Sequence, residues 1–78
     1  MNRIEETISG LIMDRFSINL DDLMNDPLSC HLDSLDRVEL CMDIENCYDI
    51  EIMVAEMESW ETFDDVVKYI EKKIGVEE

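Results

Sequence analysis

Glycine is nearly missing from this chain: Gly10 and Gly75 are the only two among 78 residues. That excludes phosphate-cradling loops and nucleophile turns built on glycine-rich backbone, Gly-x-Ser-x-Gly among them. Basic residues are scarce as well, 6 against 21 acidic ones, for a formal net charge of −15. Nucleic acid and anionic membrane surfaces are poor partners for such a chain, because phosphate binding needs clustered Lys and Arg. Basic surfaces on other proteins are favoured instead, and opposite charge speeds those encounters. No apolar run approaches the roughly 18 residues that span a bilayer, which speaks against membrane insertion. The opening Met1-Asn2-Arg3-Ile4-Glu5-Glu6 lacks the basic-then-apolar order of a secretory signal and is too acidic for a transit peptide. A cytoplasmic protein is the expectation. Cys30, Cys41 and Cys47 are odd in number and form no Cys-x-x-Cys pair. With His31 they could supply four ligands, but structural zinc sites use tighter pairs. Reduced thiols acting as small hydrophobes are expected, and no metal.

Apolar residues are plentiful by contrast. At 46% of the chain they are too many for a disordered acidic tail. The length sets one domain over residues 1–78, near the lower limit for a single core. Ile4, Ile8, Leu11 and Ile12 recur at helical spacing and predict a first helix over residues 3–16, with Asn2 and Glu5 as a capping pair. Residues 17–32 read as a long connection broken by Ser17, Asn19, Asp21, Asp22, Asn25 and Pro27. Ile18, Leu20, Leu23, Met24, Leu28 and Leu32 would pin it to the core. A second helix is expected over residues 34–47, with Leu35, Val38, Cys41, Met42 and Ile44 as its apolar stripe. Tyr48-Asp49-Ile50-Glu51-Ile52 alternates like a strand but has no partner, so a crossing loop is expected. A short third helix fits residues 54–57. The last, over residues 63–74, is the clearest: Thr62 and Asp65 cap it, Phe63, Val66, Val67, Ile70 and Ile74 face inward, and Gly75 closes it. The fold class is all-α: a small bundle of three main helices plus one short one, with a long loop between the first two.

The chemistry centres on His31-Leu32-Asp33-Ser34-Leu35-Asp36-Arg37-Val38-Glu39-Leu40, where the polar connection turns into a helix. By spacing alone, Asp33 and Ser34 are ordinary helix caps. A catalytic Ser34 finds little support, since His31 is the only histidine and no oxyanion loop accompanies it. Asp36, Glu39 and Asp43 recur at i, i+3 and i+7, so three carboxylates share one face; alone, that is a solvated face. Asp33 and Arg37 stand at i, i+4 and could pair, worth roughly a few tenths of a kcal/mol.

Asp33-Ser34-Leu35-Asp36 followed by Val38-Glu39-Leu40 resembles the prosthetic-group site of acyl carrier proteins. The likeness extends to Ile4-Glu5-Glu6, to Glu45 through Ile52, and to Thr62 through Ile70, nearly the whole chain. The resemblance implies that Ser34 carries 4'-phosphopantetheine through a phosphodiester and that the arm's thiol holds acyl groups as thioesters. It implies no catalysis by the chain itself. A phosphopantetheinyl transferase would attach the arm. Acyl-transferring and chain-elongating enzymes would dock through basic patches on Asp33, Leu35, Asp36, Glu39, Asp43 and Glu45 of a monomer. Val38, Met42, Ile44, Ile52, Met57, Trp60, Val66 and Tyr69 would line an interior that admits the acyl chain, with Trp60 and Tyr48 shortening it. His31 stands where the family commonly has glycine, Arg37 where it is usually uncharged, and the loop before Ser34 is a few residues short. Fatty-acid synthesis is the default pathway implied. A carrier for a specialised lipid, polyketide or aminoacyl group, or an unmodified acidic adaptor on basic protein surfaces, are the alternatives.

Overall fold

The computed structural model describes residues 3–75, and within them the chain is helical with no strand. The first helix, α1, spans Arg3–Phe16 and buries Ile4, Ile8 and Ile12. The expected cap at Asn2 lies outside the described residues. Ser17 ends α1 with φ 58°, and its N–H donates to the Met13 carbonyl at 2.9 Å.

The connection that follows is more ordered than its polar residues suggest. It holds a short helix, α2, over Leu20–Asn25, and a 3-10 turn over Leu28–Cys30. Asn19 caps α2 by accepting the Asp22 N–H at 2.9 Å. Asp21 and Asp22, read from sequence as breakers, occupy its first turn, where the helix dipole favours carboxylates. Ile18, Leu23, Leu28 and Leu32 are buried and pin the segment as expected, whereas Met24 points to solvent. The Leu28 N–H donates to the Glu61 carbonyl at 2.8 Å, tying this connection to the far end of the bundle.

Helix α3 covers Ser34–Tyr48 and closes on Asp49, which takes the left-handed conformation at φ 56°. Aspartate is one of the few residues besides glycine that tolerates this. Residues 50–53 form the expected crossing loop, held by Glu45 Oε2 accepting the Ile52 N–H at 2.8 Å. A short α4 follows over Val54–Glu58, then α5 over Phe63–Ile74. Thr62 and Asp65 satisfy each other's backbone N–H groups at the head of α5, and Gly75 at φ 80° ends it. The bundle is thus all-α, with α1, α3 and α5 as its long members. Its centre is filled by Ile8, Ile12, Leu40, Ile44, Phe63, Val66 and Ile70.

Candidate attachment site and docking face

The site is assembled at the head of α3. Asp33 is extended, and its Oδ1 accepts the Asp36 N–H at 2.8 Å. Asp36 Oδ2 in return accepts the Asp33 N–H at 3.3 Å. Both carboxylates flanking Ser34 are therefore occupied in fixing the backbone around it. Ser34 is the first helical residue and is exposed. Among the described residues its hydroxyl has no hydrogen-bond partner. The first N–H groups of any α-helix lack intrahelical acceptors, and the capping box takes only that of Asp36. The hydroxyl thus stands beside unpaired donors.

His31 serves the turn before the site. Its Nε2 lies 2.9 Å from Asp26 Oδ2 and bridges the end of α2 to the 3-10 turn. At φ −122° it needs no left-handed backbone, so histidine fits where glycine would be needed only for positive φ. It makes no bond to Ser34. Among the described residues no three His, Cys, Asp or Glu side chains gather as a metal would require.

An open groove of about 540 Å³ begins at Ser34 and runs between α3 and α4, with Leu32, Arg37, Val38, Val54 and Met57 along it. Arg37 does not pair with Asp33 as the i, i+4 spacing suggested. Its Nη1 donates instead to the Trp60 carbonyl at 2.7 Å and the Met57 carbonyl at 3.3 Å. Asp33 is already engaged as a cap, and the Trp60 carbonyl, just beyond the end of α4, takes the guanidinium instead.

The acidic face is likewise divided. Arg15 reaches across from α1 to Asp43 and to Glu39, the latter at 3.3 Å. The guanidinium holds the Asp43 carboxyl below its usual range. Glu45 is turned to the Ile52 N–H and fastens the crossing loop. Sequence pattern identified the carboxylates but not these bonds, whose partners lie on other elements.

The apolar residues assigned to the interior separate into two groups. Ile44, Met57, Trp60 and Val66 are buried, and Ile52 and Tyr69 are half-buried against the core. Tyr69 stands edge-on to Trp60 with ring centres 5.4 Å apart, and its hydroxyl donates to Glu56 Oε1 at 2.9 Å. Val38 and Met42, in contrast, are 41% and 56% exposed. With Leu35, 65% exposed, they fall at i, i+3 and i+7 and share an outward face. The buried face of α3 is Leu40, Cys41 and Ile44. Because α3 carries apolar residues nearly all round, the stripe drawn from sequence mixed the two faces. Leu40, omitted from that stripe, is the residue it missed. Met53 and Val54 are exposed too and enlarge the apolar ground beyond Ser34.

A free hydroxyl on a capped helix, its flanking carboxylates engaged as caps and His31 bonded to Asp26, is suited to receiving a group rather than turning one over. No helix among the described residues is long and apolar enough to cross a membrane. Comparison with known proteins agrees with the carrier class. The family described as "Phosphopantetheine attachment site" matches residues 6–70. An acyl carrier protein of Akkermansia muciniphila is 39% identical over 77 residues, 95% of this chain and 96% of its own length. Those of Buchnera aphidicola (subsp. Acyrthosiphon pisum, strain Tuc7) and Phytoplasma australiense are 37% and 36% identical, over 94% and 87% of this chain and 95% and 87% of theirs. The chain belongs to the acyl carrier protein family. Membership makes it a carrier rather than a catalyst, with a covalently attached 4'-phosphopantetheine as its prosthetic group.

Proposed function

We propose that Ser34 bears the phosphopantetheine arm and that the chain presents acyl groups, as thioesters on the arm's thiol, to enzymes that add, extend or remove them. The observation that carries this reading is the exposed, unbonded Ser34 hydroxyl, held at the head of α3 by the Asp33–Asp36 capping box. The residues suit the group. Unpaired N–H groups at a helix start favour an anionic phosphodiester, and Arg37 brings a cation to the same groove. Deprotonation of the hydroxyl falls to the separate transferase, since the flanking Asp33 and Asp36 carboxylates are engaged as caps and His31 bonds Asp26.

Docking falls to the face around the site. Leu35, Val38 and Met42 supply apolar contact, and Asp36 and Glu39 on α3 supply charge for Arg and Lys of a partner. Asp33, Asp43 and Glu45 belong to the same acidic field, and all five of these carboxylates also bond within the chain. Fatty-acid synthesis is the pathway this reading favours, in the cytoplasm and as a monomer. Incubation with coenzyme A and a broad-specificity phosphopantetheinyl transferase, followed by intact-mass analysis and peptide mapping, tests it. One arm on Ser34, abolished in Ser34→Ala, is expected. An arm on Ser9, Ser17, Ser29 or Ser59 overturns the assignment, and no arm at all makes the chain an acidic adaptor.

A further inference from the structure

We propose that Arg37 seats the prosthetic arm: its guanidinium holds the phosphodiester and directs the arm along the groove between α3 and α4. This rests on the reading of Ser34 as the attachment residue. Ser34 and Arg37 are three residues apart on one helix, hence on adjoining turns of one face, and both line the groove. The guanidinium is already fixed in place by its two bonds to the Met57 and Trp60 carbonyls. Both come from Nη1. Among the described residues Nε and Nη2 have no partner. A side chain immobilised before its ligand arrives loses little further rotamer freedom on binding. A planar guanidinium with donors to spare is also the side chain best matched to phosphate oxygens.

Charge makes the same point. A phosphodiester on a chain of net charge −15 meets a repulsive field nearly everywhere. Arg37 is the one cationic side chain on the groove wall. Arg15 is taken by Asp43 and Glu39, and Lys68 and Lys72 border a separate groove on α5. The rest of the wall is Leu32, Val38, Val54 and Met57, apolar ground for the arm's methyl and methylene groups, together with Ser29 and the carboxylates Asp33 and Glu58, which would steer the phosphodiester toward Arg37 rather than along their own side. The arm at rest is therefore laid against α4 and not free in solvent.

Nuclear magnetic resonance on the ¹⁵N-labelled full chain decides this, before and after conversion by transferase and coenzyme A, with conversion followed by intact mass. The Arg37 Nε–H signal and the amides of residues 54–58 should shift on conversion, and added salt should diminish the shift. Arg37→Gln keeps an N–H donor for the Trp60 carbonyl but removes the charge. It should still gain the arm yet lose the shifts over residues 54–58, while Arg37→Lys keeps part of them. Full mass gain on Ser34 with an unmoved Arg37 Nε–H signal overturns the proposal and leaves the Ser34 reading intact. So does an Arg37→Gln variant whose α4 shifts equal the wild type's. If that variant does not fold, the wild-type Nε–H signal alone decides. Absence of any mass gain overturns the Ser34 reading and this one with it.

Discussion

Arg15 on α1 grips Asp43 on α3 through two parallel bonds, Nε to Oδ2 at 2.5 Å and Nη2 to Oδ1 at 2.8 Å. A fork-to-fork pair of this kind fixes direction as well as distance, so it sets how α1 lies on the helix that carries the site. It also withdraws one carboxylate from the face proposed to meet basic partners.

The pair should make stability depend on pH. Arg15 lowers the Asp43 pKa in the folded chain. A lowered carboxylate contributes stability that is present above its unfolded pKa and lost as pH falls through the folded one. Asp43→Asn should therefore melt below wild type at neutral pH, and the gap should close in acid. Thermal melts of both proteins across that range check it; a gap that persists unchanged in acid contradicts the role given to the ion pair. Arg15→Gln should free Asp43 and speed association with a basic partner at low salt.

Glu45, one of the proposed partner contacts, is placed to hold the chain. Its carboxylate takes the Ile52 N–H at 2.8 Å where the crossing loop leaves α3. Glu45→Ala leaves that part-buried donor unpaired, which should cost about 1–3 kcal/mol. Glu45→Gln keeps an acceptor oxygen and should lose much less. Denaturant titration of the two variants separates a bonded clamp from a surface charge, since a surface charge predicts equal, small losses in both.

The cysteines should react unequally. Cys30 and Cys47 are exposed and Cys41 is buried. Burial, with Glu45 nearby, pushes the Cys41 thiol up to about 11. The thiolate is the reactive form, so alkylation at mildly alkaline pH should modify two sites quickly and Cys41 only on unfolding. Mass spectrometry over time reads this directly. Rapid labelling of Cys41 in the native protein would show that the inner face of α3 opens readily.

Legibility in the sequence followed the locality of each interaction. Helices α1 and α5 carry one coherent apolar stripe, and α5 has both caps within the same short stretch, so pattern alone placed them. The head of α3 was legible for the same reason: Asp33 and Asp36 bond to each other. Helix α2 was missed because its acids look like breakers until the dipole at its first turn is considered. The i, i+4 spacing of Asp33 and Arg37 suggests a local pair, whereas the carbonyl partners of Arg37 lie 20 and 23 residues off. No local pattern reports such a contact. The family likeness points to Ser34 as the proposed attachment residue, but it does not reveal which side of α3 faces water.

The two faces of α3 provide the sharpest remaining test. Met42 and Ile44 are two positions apart, similar in size and apolar, and spacing alone put both inside. The structure leaves Met42 56% exposed and buries Ile44 completely. Ile44→Ala removes core methyl groups and leaves a void, which should cost about 2–5 kcal/mol. Met42→Ala removes a side chain already in water, and alanine is the better helix former; its effect on stability should stay within about 0.5 kcal/mol. Function should reverse the ranking. If Leu35, Val38 and Met42 form the apolar docking ground beside Ser34, Met42→Ala should weaken transfer from a partner while the fold is unchanged. Urea melts and arm-transfer rates on the same two variants suffice. A Met42→Ala variant as unstable as Ile44→Ala would return Met42 to the interior, and one with wild-type stability and wild-type transfer would remove it from the docking face.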